Sequence, residues 1–187
     1  MSAENSINLK GLDIPYSLNY GRVKSPKLKY SYGKLEVSVP KNFKTPEELL
    51  HKHKLWIYRR HVEYTNTLHE SSSRQLLNRS EEALREIVMF HIKSISDELG
   101  VMPDKVTFRK MKTKWGSCSS KKRVNLNRHL MHLPESLIEY VVFHEMAHLI
   151  ELNHSFRFWN VIDSRYADRK EYDRQLSAYW HLIQETN

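Results

Sequence analysis

Val141-Val142-Phe143-His144-Glu145-Met146-Ala147-His148-Leu149-Ile150-Glu151-Leu152-Asn153-His154 is an apolar run interrupted by three histidines, and the rest of the chain is read outward from it. On an α-helix, residues four apart are offset by only about 40° around the axis. His144 and His148 therefore project from one face and can reach one tetrahedral metal. Glu145 is displaced from His144 by about 100°, which puts a carboxylate beside the metal without forcing it to ligate. That is the position of a general base for a metal-bound water. Leu137, Ile138, Val141, Val142, Met146, Leu149 and Ile150 surround the histidines, so the helix opened by Pro134-Glu135-Ser136 is expected to be largely buried.

Buried histidines are costly unless something satisfies them, and a zinc ion would. Asparagine tolerates a left-handed turn, so Asn153 is expected to end the helix and swing His154 back toward the pair. A catalytic zinc keeps three protein ligands and leaves the fourth position to water. One Zn2+ on His144, His148 and His154 would bring that water's titration near neutrality. Glu145 would take its proton and deliver it to a leaving amine, which is metal-assisted amide hydrolysis. Glu151 and Glu171 are the alternative third ligands, and Cys118 is the one cysteine a closed structural site could recruit. The spacing from His148 to His154 matches the metzincin pattern. Glu151 stands where that pattern has glycine, however, and no methionine follows Met146 to form its Met-turn, so a metzincin is excluded.

Upstream, Val106 to Met111 and Arg123 to Arg128 read as strands flanking Trp115-Gly116-Ser117-Cys118-Ser119-Ser120. In the second, Val124 and Leu126 alternate with Asn125 and Asn127. Lys105 to Arg128 holds nine basic residues and no acid. With Trp115 among them, this is a footprint for single-stranded nucleic acid or an acidic chain. Lysine-rich hairpins also discourage edge pairing, and both readings stand. Ser80-Glu81-Glu82 caps a helix that should run to Gly100, with Leu84, Val88, Ile92, Ile95 and Leu99 as its inward stripe. Beyond the motif, Ser155 should cap a helix bearing Phe158, Trp159 and Ile162. A last helix, from about Lys170 to Gln184, packs through Leu176, Tyr179, Trp180 and Ile183.

The N-terminal part has the period of two. Leu28, Tyr30 and Tyr32, then Leu35, Val37 and Val39, predict a hairpin turning at Tyr32-Gly33-Lys34, with a further strand through Tyr16, Leu18 and Tyr20. Thr45-Pro46-Glu47-Glu48 opens a helix to about Tyr64, with Leu49, Leu50, Leu55, Trp56 and Ile57 inward and Lys52, Lys54, Arg59 and Arg60 on a solvated face. His51, His53, His61 and His69 share no register and are assigned no metal. The polar, serine-rich stretch from Thr65 to Asn78 reads as a loop. It divides a strand-rich lobe with one helix, residues 1–70, from a core, residues 71–187.

These elements make an α+β protein, with the motif helix against a small antiparallel sheet and β-hairpins in the N-terminal lobe. At 187 residues, 40% hydrophobic and 28% charged, the chain can bury a real core and is not a disordered one. No apolar run approaches the roughly 20 residues that cross a bilayer, so no membrane partner is expected. Met1 to Lys10 lacks the apolar segment of a secretory signal, and a single cysteine suits a reducing compartment, which points to the cytoplasm. A net charge of +8 and a pI near 9.5 attract anionic partners.

Met111-Lys112-Thr113-Lys114-Trp115-Gly116-Ser117-Cys118, Val124-Asn125-Leu126-Asn127, Tyr140-Val141-Val142-Phe143-His144-Glu145-Met146-Ala147-His148 and Asn153-His154-Ser155-Phe156-Arg157-Phe158-Trp159 together resemble the YgjP-like metallopeptidase family, which is related to the SprT-like zincins. The resemblance is specific from Met111 to Trp159, and Phe143 departs from the more usual aliphatic residue. It implies a minimal zincin core, zinc on His144, His148 and His154, Glu145 as general base, and a protein or peptide substrate. Two alternatives are a nucleic-acid-binding protein with a structural or vestigial zinc site, and a metal-dependent hydrolase of a non-peptide amide or ester.

Overall fold

In the computed structural model, which describes residues 5–31 and 33–186, four strands and three α-helices are followed by three strands and three further α-helices. These elements gather into two units, residues 1–72 and residues 73–187, each with its own apolar core.

In the first unit, β1 (Asn5–Leu9), β2 (Leu12–Gly21), β3 (Lys27–Ser31) and β4 (Lys34–Pro40) form a sheet in the order β1-β2-β4-β3. β1 and β2 make a hairpin through Lys10 and Gly11, both at positive φ, the geometry that follows the natural twist of paired strands. The expected hairpin of β3 and β4 is present, with Tyr30 opposite Leu35 and Gly33 at φ 72°. Tyr32, expected in its turn, lies outside the described residues. β2 runs parallel to β4, so the sheet is mixed. Its period-two residues Leu35, Val37 and Val39, with Ile14, meet Leu50 and Ile57 from the helical side.

The helix expected to end near Tyr64 is interrupted once, at His53, and continues much further: α1 is Pro46–Lys52 and α2 is Lys54–Ser72. The Thr65-to-Asn78 loop therefore begins only after Ser72. Thr65, Thr67, Ser71 and Ser72 each donate a hydroxyl hydrogen bond to a carbonyl three or four residues back. Polar residues that bond this way remain helical. Leu50 and Ile57, seven apart, share a face and are buried. Leu55, about 200° around from Ile57, is 56% exposed, and Trp56 is also exposed.

The second unit is built on α3 (Glu81–Leu99), whose ends follow the sequence expectation. Ser80 Oγ accepts from Ala83 N, and Gly100 takes the left-handed conformation at φ 66°. Strands β5 (Lys105–Arg109), β6 (Gly116–Cys118) and β7 (Arg123–Asn127) form a sheet in the order β5-β7-β6. β6 lies in the segment expected only to connect two strands. It pairs antiparallel with β7, while β5 lies parallel on the other side of β7. The sheet is thus mixed rather than antiparallel, because an extra strand returns the chain before β7 is laid down. The motif helix α4 (Glu135–Ala147) packs against this sheet, against α3, and against α5 (Phe156–Asp163) and α6 (Arg169–Thr186). The architecture is α+β, as expected. Among the described residues no helix is long and apolar enough to cross a membrane.

Candidate metal centre

α4 is apolar on nearly every side because nearly every side meets the core: Tyr140, Val141, Val142, Phe143, Met146 and Ala147 are all buried. The helix ends at Ala147. Leu149 N donates to Met146 O, and Ile150 N and Glu151 N both donate to Ala147 O. Ser155 N then donates to Asn153 O, and Ser155 Oγ caps α5 by accepting from Phe158 N. This tight return carries His154 back beside His144. The left-handed Asn153 expected from the sequence is not used, since Lys10 and Lys122 are the non-glycine residues at positive φ among those described. Short-range bonds already satisfy the terminal carbonyls, so the return needs no left-handed residue.

His148 is buried, His144 half-buried and His154 exposed, and one ring nitrogen of each lies within 4.8 Å of the other two. Nε2 of His144 is 3.1 Å from Nε2 of His154. Aromatic contacts orient the rings: His148 stacks on Phe158 at 4.4 Å, and His154 on Trp159 at 5.4 Å. Burial first, then the neighbouring His148 and His154, push His144 down to about 3, and burial lowers His148 as well. These two rings are therefore held neutral, the form that offers a lone pair. His148 Nδ1 lies 3.0 Å from Glu151 O. A carbonyl only accepts, so the proton sits on Nδ1 and the lone pair on Nε2. Histidine ligands are oriented by this kind of outer bond. Three imidazoles converging with one side open to solvent are a donor set that fits a single tetrahedral cation.

Glu145 is 6% exposed. Burial pushes its carboxyl up to about 7, partly offset by the Lys114 ammonium. Its Oε2 is buried with no hydrogen-bond partner, a costly arrangement unless a donor such as water comes to it. Gly116, opening β6, makes room for this side chain. A Cβ at Gly116 would stand 2.6 Å from both Cγ and Oε1 of Glu145. The φ of Gly116 is not positive, so alanine strains no backbone there. Gly116→Ala is accordingly expected to fold with a loss of about 1–3 kcal/mol from overpacking and to lower kcat/KM by about a hundredfold, because displacing a reacting group by about 1 Å is enough for that. An unchanged kcat/KM would show that the Gly116 contact does not position Glu145.

Asn127 holds the approach to β6. Fully buried, it donates from Nδ2 to the carbonyls of Met111 and Lys114 and accepts at Oδ1 from the backbone of Met111 and His129. Its own N donates to Trp115 O at 2.7 Å. The sequence shows Asn127 only as part of a polar strand face, and these partners are invisible there.

The other expected candidates stand apart from the cluster. Glu151 offers its carbonyl to His148, while its carboxylate faces Asn153 N at 3.5 Å. Glu171 is held by Arg174 and Gln175. Cys118 lines the same cavity, but its Sγ lies 3.6 Å from Ser119 O, and burial raises its thiol pKa. The histidine trio is the only such cluster of possible metal ligands among the described residues. The cavity around it, about 450 Å3, is also walled by Lys114, Trp115, Tyr140 and Asp173, with the Tyr140 hydroxyl donating to Asp173 Oδ1 at 3.0 Å.

Comparison with known proteins gives a family and several similar solved structures. A family model described as YgjP-like, metallopeptidase domain, matches residues 66–179. No curated protein matches the chain. The crystal structure of the metallopeptidase zymogen of Pyrococcus abyssi abylysin is similar over 48% of this chain and 90% of that one, at 24% identity and a TM-score of 0.44. The metallopeptidase zymogen of Methanocaldococcus jannaschii jannalysin is similar over 59% of this chain and 100% of that one, at 22% identity and a TM-score of 0.40.

Proposed function

This chain belongs to the YgjP-like metallopeptidase family, and from that premise we propose that it hydrolyses peptide bonds with one zinc ion on His144, His148 and His154 and with Glu145 as general base. Membership makes it a metal-dependent hydrolase of peptide or protein substrates. The choice of zinc and the residue roles rest on one observation: three imidazole nitrogens converge beside a buried carboxylate whose Oε2 lacks a donor. We assign this machinery to residues 71–187, with residues 1–70 as an accessory lobe.

When bound, zinc supplies Lewis-acid polarisation and lowers the pKa of water toward neutrality. The chain's own residues do the rest. Glu145 accepts a proton from the attacking water and hands it to the departing amide nitrogen. A carboxyl titrating near 7 can do both at physiological pH. Burial of Glu145 by Gly116 and α4 keeps competing water away and strengthens its interactions. The substrate backbone pairs with β6: this strand is the sheet edge lining the cavity, whereas β7 is central and β5 is the far edge.

Elemental analysis after zinc loading, together with cleavage of a denatured protein substrate, tests the reading. One zinc per chain with zinc-dependent cleavage supports it. Failure to take up zinc at all would end it.

A nucleic-acid partner is a separate proposal, carried by the basic segment. Of Lys105, Arg109, Lys110, Lys112, Lys114, Lys121, Lys122, Arg123 and Arg128, only Arg128 has a carboxylate within ion-pair distance among the described residues, that of Glu81. Binding of single-stranded DNA should then weaken steeply with salt, each neutralised phosphate adding about 0.7 to the slope of log K against log salt. A slope near zero would remove nucleic acid from consideration.

A further inference from the structure

A second cavity, of about 390 Å3, adjoins the histidine site and shares four wall residues with it: Lys114, Trp115, Asp173 and Leu176. Thr113, Ser177 and Trp180 complete its wall. Asp173, Leu176, Ser177 and Trp180 are spaced i, i+3, i+4 and i+7 along α6, so one stripe of that helix forms one side. The other side is the Thr113-to-Trp115 segment, pinned by Asn127 through Lys114 O and Trp115 O. Trp115 meets Trp180 edge to face, with ring centroids 4.8 Å apart at 87°, a favoured aromatic geometry. His129 lies edge-on to the same Trp180. The indoles are therefore held in place.

The chemistry of the walls narrows the occupant. Trp115, Trp180 and Leu176 supply apolar surface, while Thr113 and Ser177 supply small polar groups. Lys114 and Asp173 carry opposite charges, so their local fields oppose each other and select neither sign. Asp173 is further engaged by the Tyr140 hydroxyl. Trp115 immediately precedes Gly116, whose backbone lies against Glu145. The second cavity and the catalytic carboxylate thus flank the same short segment, within reach of neighbouring residues of one bound chain.

We propose that the Trp115–Trp180 cavity is the specificity subsite of this enzyme, taking a large apolar side chain, preferably aromatic, from a residue next to the scissile bond. The proposal rests on the metallopeptidase reading above. A pocket of this size with apolar walls and a few polar groups is the usual form of a recognition site. An aromatic side chain would gain both burial and ring contacts with the two indoles.

The test uses the zinc-loaded full chain and a proteome-derived peptide mixture, with cleavage sites read by mass spectrometry. The expected result is enrichment of Phe, Tyr, Trp or Leu at one fixed position beside the cleaved bond. Ser177→Trp, a change at an exposed helix position that fills the cavity, should lower the ratio of kcat/KM for a phenylalanine peptide over its alanine counterpart by about tenfold or more. Trp180→Ala should lower the same ratio by opening the wall. Calorimetry on zinc-loaded Glu145→Gln gives a readout without turnover: the phenylalanine peptide should bind more tightly than the alanine peptide, and Ser177→Trp should remove the difference. Cleavage with no positional preference, or a preference untouched by Ser177→Trp, overturns the subsite and leaves the peptidase reading standing. Absence of any cleavage, together with equal binding of the two peptides, overturns both.

Discussion

Glu145→Gln is expected to lower kcat/KM by about 10²–10⁴-fold, the usual contribution of a positioned acid–base group, while zinc content stays at the wild-type level. Glutamine keeps the volume and one oxygen of the side chain, so the fit beneath Gly116 survives. What it loses is the ability to accept a proton from water and return it to the leaving nitrogen. The substitution also relieves an energetic burden. Burial holds the carboxyl up to about 7, which means that the folded environment disfavours its charge. A neutral amide avoids that cost, so Glu145→Gln should be at least as stable as wild type to urea. Loss of activity with equal or greater stability and full metal occupancy is a combination that simple unfolding cannot produce. Wild-type turnover in Glu145→Gln would assign proton transfer to another group.

The parts of this site that could be read from the sequence are those built from local spacing. His144 and His148 lie on one helical face because of their separation, and α3 begins at Ser80 and ends at Gly100 because caps are local devices. The parts that could not be read depend on residues brought together from different elements. Gly116 reads as an ordinary turn residue until Glu145 is found against it, and Asn127 bonds to Met111 and Lys114 across the sheet. β6 spans three residues, too few to show alternation, although it is the strand nearest the carboxylate. Leu55 and Trp56 are exposed for a related reason: apolar identity alone does not turn a residue inward, whereas its angle relative to Leu50 and Ile57 does. Trp180 walls a cavity, and nothing local in the sequence distinguishes such a tryptophan from one that only packs the core.

His154→Ala is the substitution that tests the metal most cleanly, because of where His154 sits. It is exposed, whereas His144 is half-buried and His148 buried. Truncating either of the latter opens interior space beside Phe158, so lost packing would mix with lost ligation, whereas the exposed His154 ring meets Phe158 and Trp159 from the solvent side. At His154 the zinc-free variant should therefore lose only about 0.5–1.5 kcal/mol of ring contact relative to the zinc-free wild type. The difference should emerge on adding zinc. An ion that binds only the folded state stabilises it by RT ln(1 + [L]/Kd), about 2.7 kcal/mol at a hundredfold excess over Kd. For a chain of this length that raises the melting temperature by roughly 5–10 °C. Wild type should show the rise, and His154→Ala should lose most of it, since two imidazoles on α4 hold the ion far less well than three. Thermal scans with and without zinc read this without any substrate. An equal rise in both proteins would take His154 out of the ligand set and turn attention to Glu151, whose carboxylate lies near the same return of the chain.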